Sequence, residues 1–86
     1  MEIKLNRVNK MLFNKIMLDA LGEIPSAYRA MEDTDNSFYV QLIPLDMEHA
    51  DMFVEVYCCF LDKVEWTVYA LDENQYKELR TGTTEF

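Results

Sequence analysis

The sequence predicts an α+β fold: a three-stranded antiparallel sheet with one helix before it and one after it, αβββα. Three observations carry that expectation. A helical stripe runs through the first twenty residues, three stretches of period-two alternation occupy the middle, and a capping box opens the last amphipathic segment. With two Gly and two Pro in 86 residues, little of the chain is left for long loops. Residues 1–86 read as one domain, because a chain of this length holds a single core.

Residues 6–21 form the first predicted helix. Asn6 stands at the capping position, and Leu21-Gly22 followed by Pro25 is a stop signal. At the helical period Leu5, Val8, Leu12, Ile16 and Ala20 make one stripe, which Phe13 widens. Met11, Met17, Leu18 and Leu21 fall outside it, so the helix is apolar over more of its circumference than one small sheet covers. Those four residues are the expected interface of a homodimer, with methionine as the adaptable contact. Residues 25–31 read as a short helix or helical turn led by Pro25. Asp33-Thr34-Asp35-Asn36-Ser37 then breaks the chain, since these side chains bond local backbone and favour turns.

Three strands follow. Residues 38–43 alternate Phe38, Val40, Leu42 against Tyr39, Gln41, Ile43, and stop at Pro44. Residues 52–60 put Met52, Val54, Val56, Cys58 and Phe60 on one face, with Phe53, Glu55, Tyr57 and Cys59 on the other. Residues 64–71 oppose Val64, Trp66, Val68 and Ala70 to Glu65, Thr67, Tyr69 and Leu71. Leu61-Asp62-Lys63 is short enough only for a hairpin between the last two strands, and Trp66 is expected in the core. Between the first two strands Asp46 can cap a single helical turn. Asp72-Glu73-Asn74-Gln75 has the form of a capping box, with Leu71 and Tyr76 placed for a hydrophobic staple, so a second helix is expected to about Arg80. Residues 83–86 are expected to fray.

Charge bears on function more than any motif does. Residues 30–62 hold eight carboxylates and no Lys or Arg, within a chain of net charge −8. Lys4, Arg7, Lys10 and Lys15 are concentrated at the start, which leaves residues 16–86 with four bases against fifteen acids. Such a field repels nucleic acid and anionic lipid and attracts basic protein surfaces. The basic start lacks the aromatic interleaving of a single-strand binder, so no direct nucleic-acid contact is expected. Apolar runs are only a few residues long and none follows a basic start, so neither a membrane span nor a secretory signal is expected. Cys58 and Cys59 are adjacent on a strand, point to opposite faces and cannot easily pair with each other; they read as small hydrophobes in a reducing cytoplasm.

Chemistry-bearing patterns are weak. The segment opening at Asp33 resembles the start of a calcium loop, but the sharp-turn Gly is missing and Pro44 stands where the bidentate Glu belongs. Asp46, Glu48 and Asp51 surround His49, the chain's one imidazole. With no second His and no Cys at ligand spacing, a solvated acidic loop is expected there rather than zinc. Ser26, Ser37, Cys58 and Cys59 sit in no nucleophile elbow, and no Gly-rich phosphate loop exists. The expectation is a protein without catalytic residues, metal or cofactor.

On a strand, residues two apart lie ~6.8 Å from one another on the same side, while phosphates along one DNA strand advance ~3.4 Å each. Carboxylates from adjacent strands and turns can therefore approximate the charge spacing of a nucleic-acid backbone. Asp33, Asp35, Asp46, Glu48, Asp51, Glu55, Asp62 and Glu65 are the candidate partner-binding residues. In size, charge and lack of catalytic groups the chain resembles the small acidic proteins with which bacteriophages and mobile elements occupy DNA-binding sites; the resemblance is of type and assigns no residue by motif. It implies a non-enzymatic inhibitor, in the cytoplasm of a bacterial host, of a basic DNA-binding protein. A nucleoid protein such as HU, a restriction or CRISPR effector, or RNA polymerase is the kind of partner meant. The alternatives are a structural adaptor that assembles through the apolar helix face, and an immunity or antitoxin protein that blocks a basic nuclease.

Overall fold

The computed structural model describes residues 10–32, 39–59 and 62–85, apart from the side chains of Glu32, Cys58 and Cys59. Within this range the first predicted helix is α1, Lys10–Leu21. Its proposed cap Asn6 and the stripe residues Leu5 and Val8 lie outside the described residues. Gly22 ends α1 at φ +82°, and its N–H donates to the Leu18 carbonyl at 2.9 Å. That left-handed position costs a Cβ-free residue little, which is why the stop signal works. A second donor reaches the helix end from far along the chain, as Arg80 Nε bonds the Ala20 carbonyl at 2.8 Å.

Five strands follow, not three. They are β1 (Tyr28–Glu32), β2 (Tyr39–Pro44), β3 (Met52–Cys59), β4 (Lys63–Asp72) and β5 (Gln75–Glu85), and they form one antiparallel sheet in the order β1-β2-β3-β4-β5. The expected strands are β2, β3 and β4, and the expected β3–β4 pairing is present, with Val54 opposite Val68 and Val56 opposite Trp66. The αβββα expectation is overturned on both sides of them.

At residues 25–31 the predicted helical turn is replaced by β1, which pairs with β2 from Tyr28↔Pro44 to Glu32↔Val40. Pairing satisfies the row of backbone groups that β2 would otherwise leave bare. The predicted C-terminal helix is replaced by β5. Glu73 (φ 52°) and Asn74 (φ 68°) both adopt left-handed backbone, the geometry of a two-residue type I′ hairpin turn. The Asp72 of the presumed capping box instead pairs with Gln75, and the presumed staple residues Leu71 and Tyr76 are cross-strand neighbours. Nor are residues 83–85 frayed: Thr84 is fully buried opposite Val64.

One face of the sheet takes α1, which packs on β4 and β5. The core is Leu12, Phe13, Ile16, Met17 and Ala20 from the helix against Val40, Leu42, Val54, Val56, Val64, Trp66 and Val68 from the strands. Trp66, 5% exposed, is in the core as expected. Its Nε1 donates to Thr84 Oγ1 at 2.9 Å, and Thr84 in turn donates to Asp19 Oδ2 at 2.8 Å. This chain ties β4, β5 and α1 together. Gly82 lies opposite Trp66, where an added Cβ would stand 2.5 Å from the indole Cζ2, so the ring needs a residue without a side chain there.

Met17 was expected off the packing stripe, at a dimer interface; it is fully buried. The reason is β5. A fourth and fifth strand widen the sheet beneath α1, so the helix buries a broader arc than a three-stranded sheet would accept.

Candidate functional site

The face of the sheet away from α1 has no layer over it among the described residues. Register places Tyr39 beside Tyr57, Gln41 beside Glu55, Glu55 beside Thr67, Tyr57 beside Glu65, Phe53 beside Tyr69 and Leu71 beside Tyr76. The side chains cover one another. Phe53 stacks on Tyr69 with ring centroids 5.0 Å apart and meets Tyr76 edge-on at 5.0 Å. The Tyr57 hydroxyl lies 3.3 Å from Thr67 Oγ1, and Thr67 is buried although it points away from the core. Tyr39 donates to Glu55 Oε2 at 2.7 Å and accepts from Gln41 Nε2 at 3.0 Å. Burial, then the hydrogen bond to Glu55, push the Tyr39 phenol up to about 12. Burial likewise raises the Tyr69 phenol, with Glu55 and Glu78 adding to it.

A second cluster lies in the β2–β3 connection. Asp46 leads into the 3-10 turn Met47–His49, the single turn expected there, but its carboxylate makes no cap bond and turns to the His49 ring. His49 is buried rather than solvated. Its Nδ1 faces the two Asp46 oxygens at 3.1 and 3.0 Å, and its Nε2 faces Glu23 Oε1 at 3.1 Å. Desolvation raises the Asp46 carboxyl, but the bond and charge of the His49 ring outweigh it and leave the group below its ordinary value. Glu48 shares a hydrogen bond with Glu23, and that bond and the Glu23 charge push the Glu48 carboxyl up. Glu23, Ile24, Ser26, Asp46, Met47 and Glu48 line an open groove of about 400 Å³ beside the cluster.

The eight carboxylates proposed for partner binding do not form one patch. Asp33 and Asp35 lie outside the described residues. Asp46, Glu48 and Asp51 stand at one end of the sheet, in or beside the turn. Glu55 and Glu65 are half-buried on the uncovered face, and Asp62 is exposed at the opposite end, roughly 24 Å away along β3. Of the proposed interface residues, Met11 (85% exposed) and Leu18 (49%) face solvent, whereas Leu21 packs against the core.

Sequence reasoning missed Glu23, which is 26 positions from His49 and meets it only because β1 returns the chain alongside β2. It also missed Glu78, which the hairpin sets beside Tyr69 on the uncovered face. Compared with protein-family models, curated proteins and solved structures, the chain matches none of them.

Proposed function

We propose that this protein is a non-enzymatic inhibitor whose carboxylates take the place of DNA phosphates on a basic DNA-binding protein, in the cytoplasm of a bacterial host. The observation that carries the reading is the uncovered sheet face, where Glu55, Glu65 and Glu78 stand among Tyr39, Tyr57, Tyr69 and Tyr76. Residues 39–59 contain no Lys or Arg, and the bases on this face, Arg29 and Lys63, stand at its margins on β1 and at the start of β4. Carboxylates beside aromatic rings suit arginine, which forms bidentate ion pairs and stacks on aromatic faces. The acids of the 46–51 turn make a separate acidic group at one end of the sheet. The particle is 40 Å in its longest dimension, enough to lie along an extended basic groove.

Affinity for such a partner falls steeply with salt, because both surfaces release counterions on contact. The test is capture of basic proteins from bacterial lysate at low and high salt, followed by competition with duplex DNA. Asp46→Lys, Glu48→Lys and Asp51→Lys together should weaken capture, as should Asp33→Lys with Asp35→Lys. The control Glu2→Lys should leave it nearly unchanged. A partner that stays bound at about one molar salt, where the Debye length is ~3 Å, or that binds DNA and this protein at once, overturns the reading.

A second reading rests on Met11 and Leu18, which lie two helical turns apart on the exposed side of α1. In it the chain is an adaptor that assembles through that side, and its charge serves solubility.

A further inference from the structure

We propose that Glu23, Glu48 and His49 bind a divalent transition-metal ion of the zinc type. The proposal does not depend on the inhibitor reading. One imidazole nitrogen and two carboxylate oxygens, from segments far apart in sequence, lie within 4.8 Å of one another. A tetrahedral ion with bonds of ~2.0–2.1 Å holds its donors ~3.4 Å apart, so small rotations of two exposed glutamates complete the set. The donor types exclude the hard cations: imidazole suits zinc and its neighbours, whereas calcium and magnesium take oxygen.

The imidazole supplies an argument that acidic groups alone would not. Both His49 ring nitrogens face carboxylate oxygens, Nδ1 toward Asp46 at 3.0 Å and Nε2 toward Glu23 at 3.1 Å. A neutral imidazole has one N–H, so when Nδ1 donates to Asp46 the Nε2 lone pair points at an anionic oxygen. A metal ion at Nε2 places a positive charge between that lone pair and the Glu23 carboxylate. Asp46 is the carboxylate that orients a metal-binding histidine from behind, fixing the tautomer and strengthening the nitrogen that faces the ion. The carboxylates of Glu23 and Glu48 stand together beside the imidazole, so one ion can reach both. The groove beside them leaves room for water in the remaining coordination position. Because Glu23 directly follows the α1 cap at Gly22, the bound ion would tie the exit of the helix to the β2–β3 connection.

The full chain, stripped with chelator, is titrated near neutral pH with zinc sulfate by calorimetry and with cobalt chloride by visible absorption. One ion per chain is expected, with cobalt bands of nitrogen and oxygen ligation and a rise in thermal midpoint on adding zinc. His49→Gln removes the nitrogen donor and should lower affinity at least about tenfold. Because His49 is buried and that variant can also lose stability, Glu23→Gln with Glu48→Gln is the second arm. It changes exposed groups only, and should abolish the zinc-dependent rise while keeping the fold by circular dichroism. Three results overturn the proposal: no saturable binding, binding unchanged in the double glutamine variant, or thiolate charge-transfer bands showing that Cys58 and Cys59 hold the cobalt.

Discussion

Trp66 is fixed at both ends of its indole, by the hydrogen bond to Thr84 and by the absence of a side chain at Gly82. Trp66→Ala should cost ~3–5 kcal/mol, much of the stability of so small a domain. Thr84→Val keeps the volume but leaves the indole N–H buried without an acceptor, and should cost about 1–3 kcal/mol. Urea unfolding followed by circular dichroism measures both. An unchanged midpoint for Thr84→Val would mean that the link between β4, β5 and α1 contributes nothing. Tyr39 makes a prediction about alkaline pH. Its phenol lies at about 12 in the folded chain against an ordinary 10.0, so between those values the folded state keeps a proton that the unfolded state has released. The stability it contributes is whole below pH 10 and falls as pH rises toward about 12. Tyr39→Phe should flatten that part of the alkaline unfolding curve and remove the highest-pH step from the ultraviolet phenolate titration.

At the scale of elements the β4–β5 hairpin is the sharpest test, because sequence patterns and structure disagree there. Residues 72–80 carry a helix start signal and good helix formers, and nothing local forbids a helix. What decides it is the partner strand: β5 pairs with β4 along its length, with one irregularity between Val68 and Tyr69, and buries Thr84 against the core. Glu73 occupies left-handed backbone without being Gly, Asn or Asp, at a cost of roughly 1–2 kcal/mol. Glu73→Asn together with Asn74→Gly supplies the preferred type I′ pair and should raise stability by up to about 1 kcal/mol. If these residues began a helix, glycine there would lower it instead. A downward shift of the urea midpoint would therefore contradict the hairpin. The strands β2, β3 and β4 were legible because their alternation coincides with burial, Val40 and Leu42, Val54 and Val56, Val64 and Val68 all pointing one way. In β1 and β5 that signal is missing. β5 is exposed along most of its length, so no alternation of apolar residues marks it.

For the whole molecule, the open side of α1 sets an assembly prediction. Met11 and Leu18 are available to a second copy, whereas Met17 is not. We expect a homodimer at tens of micromolar by light scattering, and Leu18→Glu should shift it toward monomer with the circular dichroism unchanged. A strict monomer would remove the adaptor reading and leave the charge as the protein's means of recognition. No described helix is long and apolar enough to cross a membrane.

The residues alone determined a helix ending at Gly22, three central strands with the correct inner faces, a buried Trp66 and a strongly acidic composition. Each of these is written in local periodicity, in a stop signal or in composition, and needs no knowledge of what lies opposite. Only the tertiary structure decided the rest. Strands β1 and β5 exist because β2 and β4 offer them backbone partners, and Met17 is buried because β5 widens the surface under the helix. Asp46 serves His49 instead of a helix turn, and Glu23 meets His49 and Glu48 because the sheet returns the chain to that end. Hydrogen-bond pairing between distant segments overrode weak local preference at each of these places, and that preference was all that could be read beforehand.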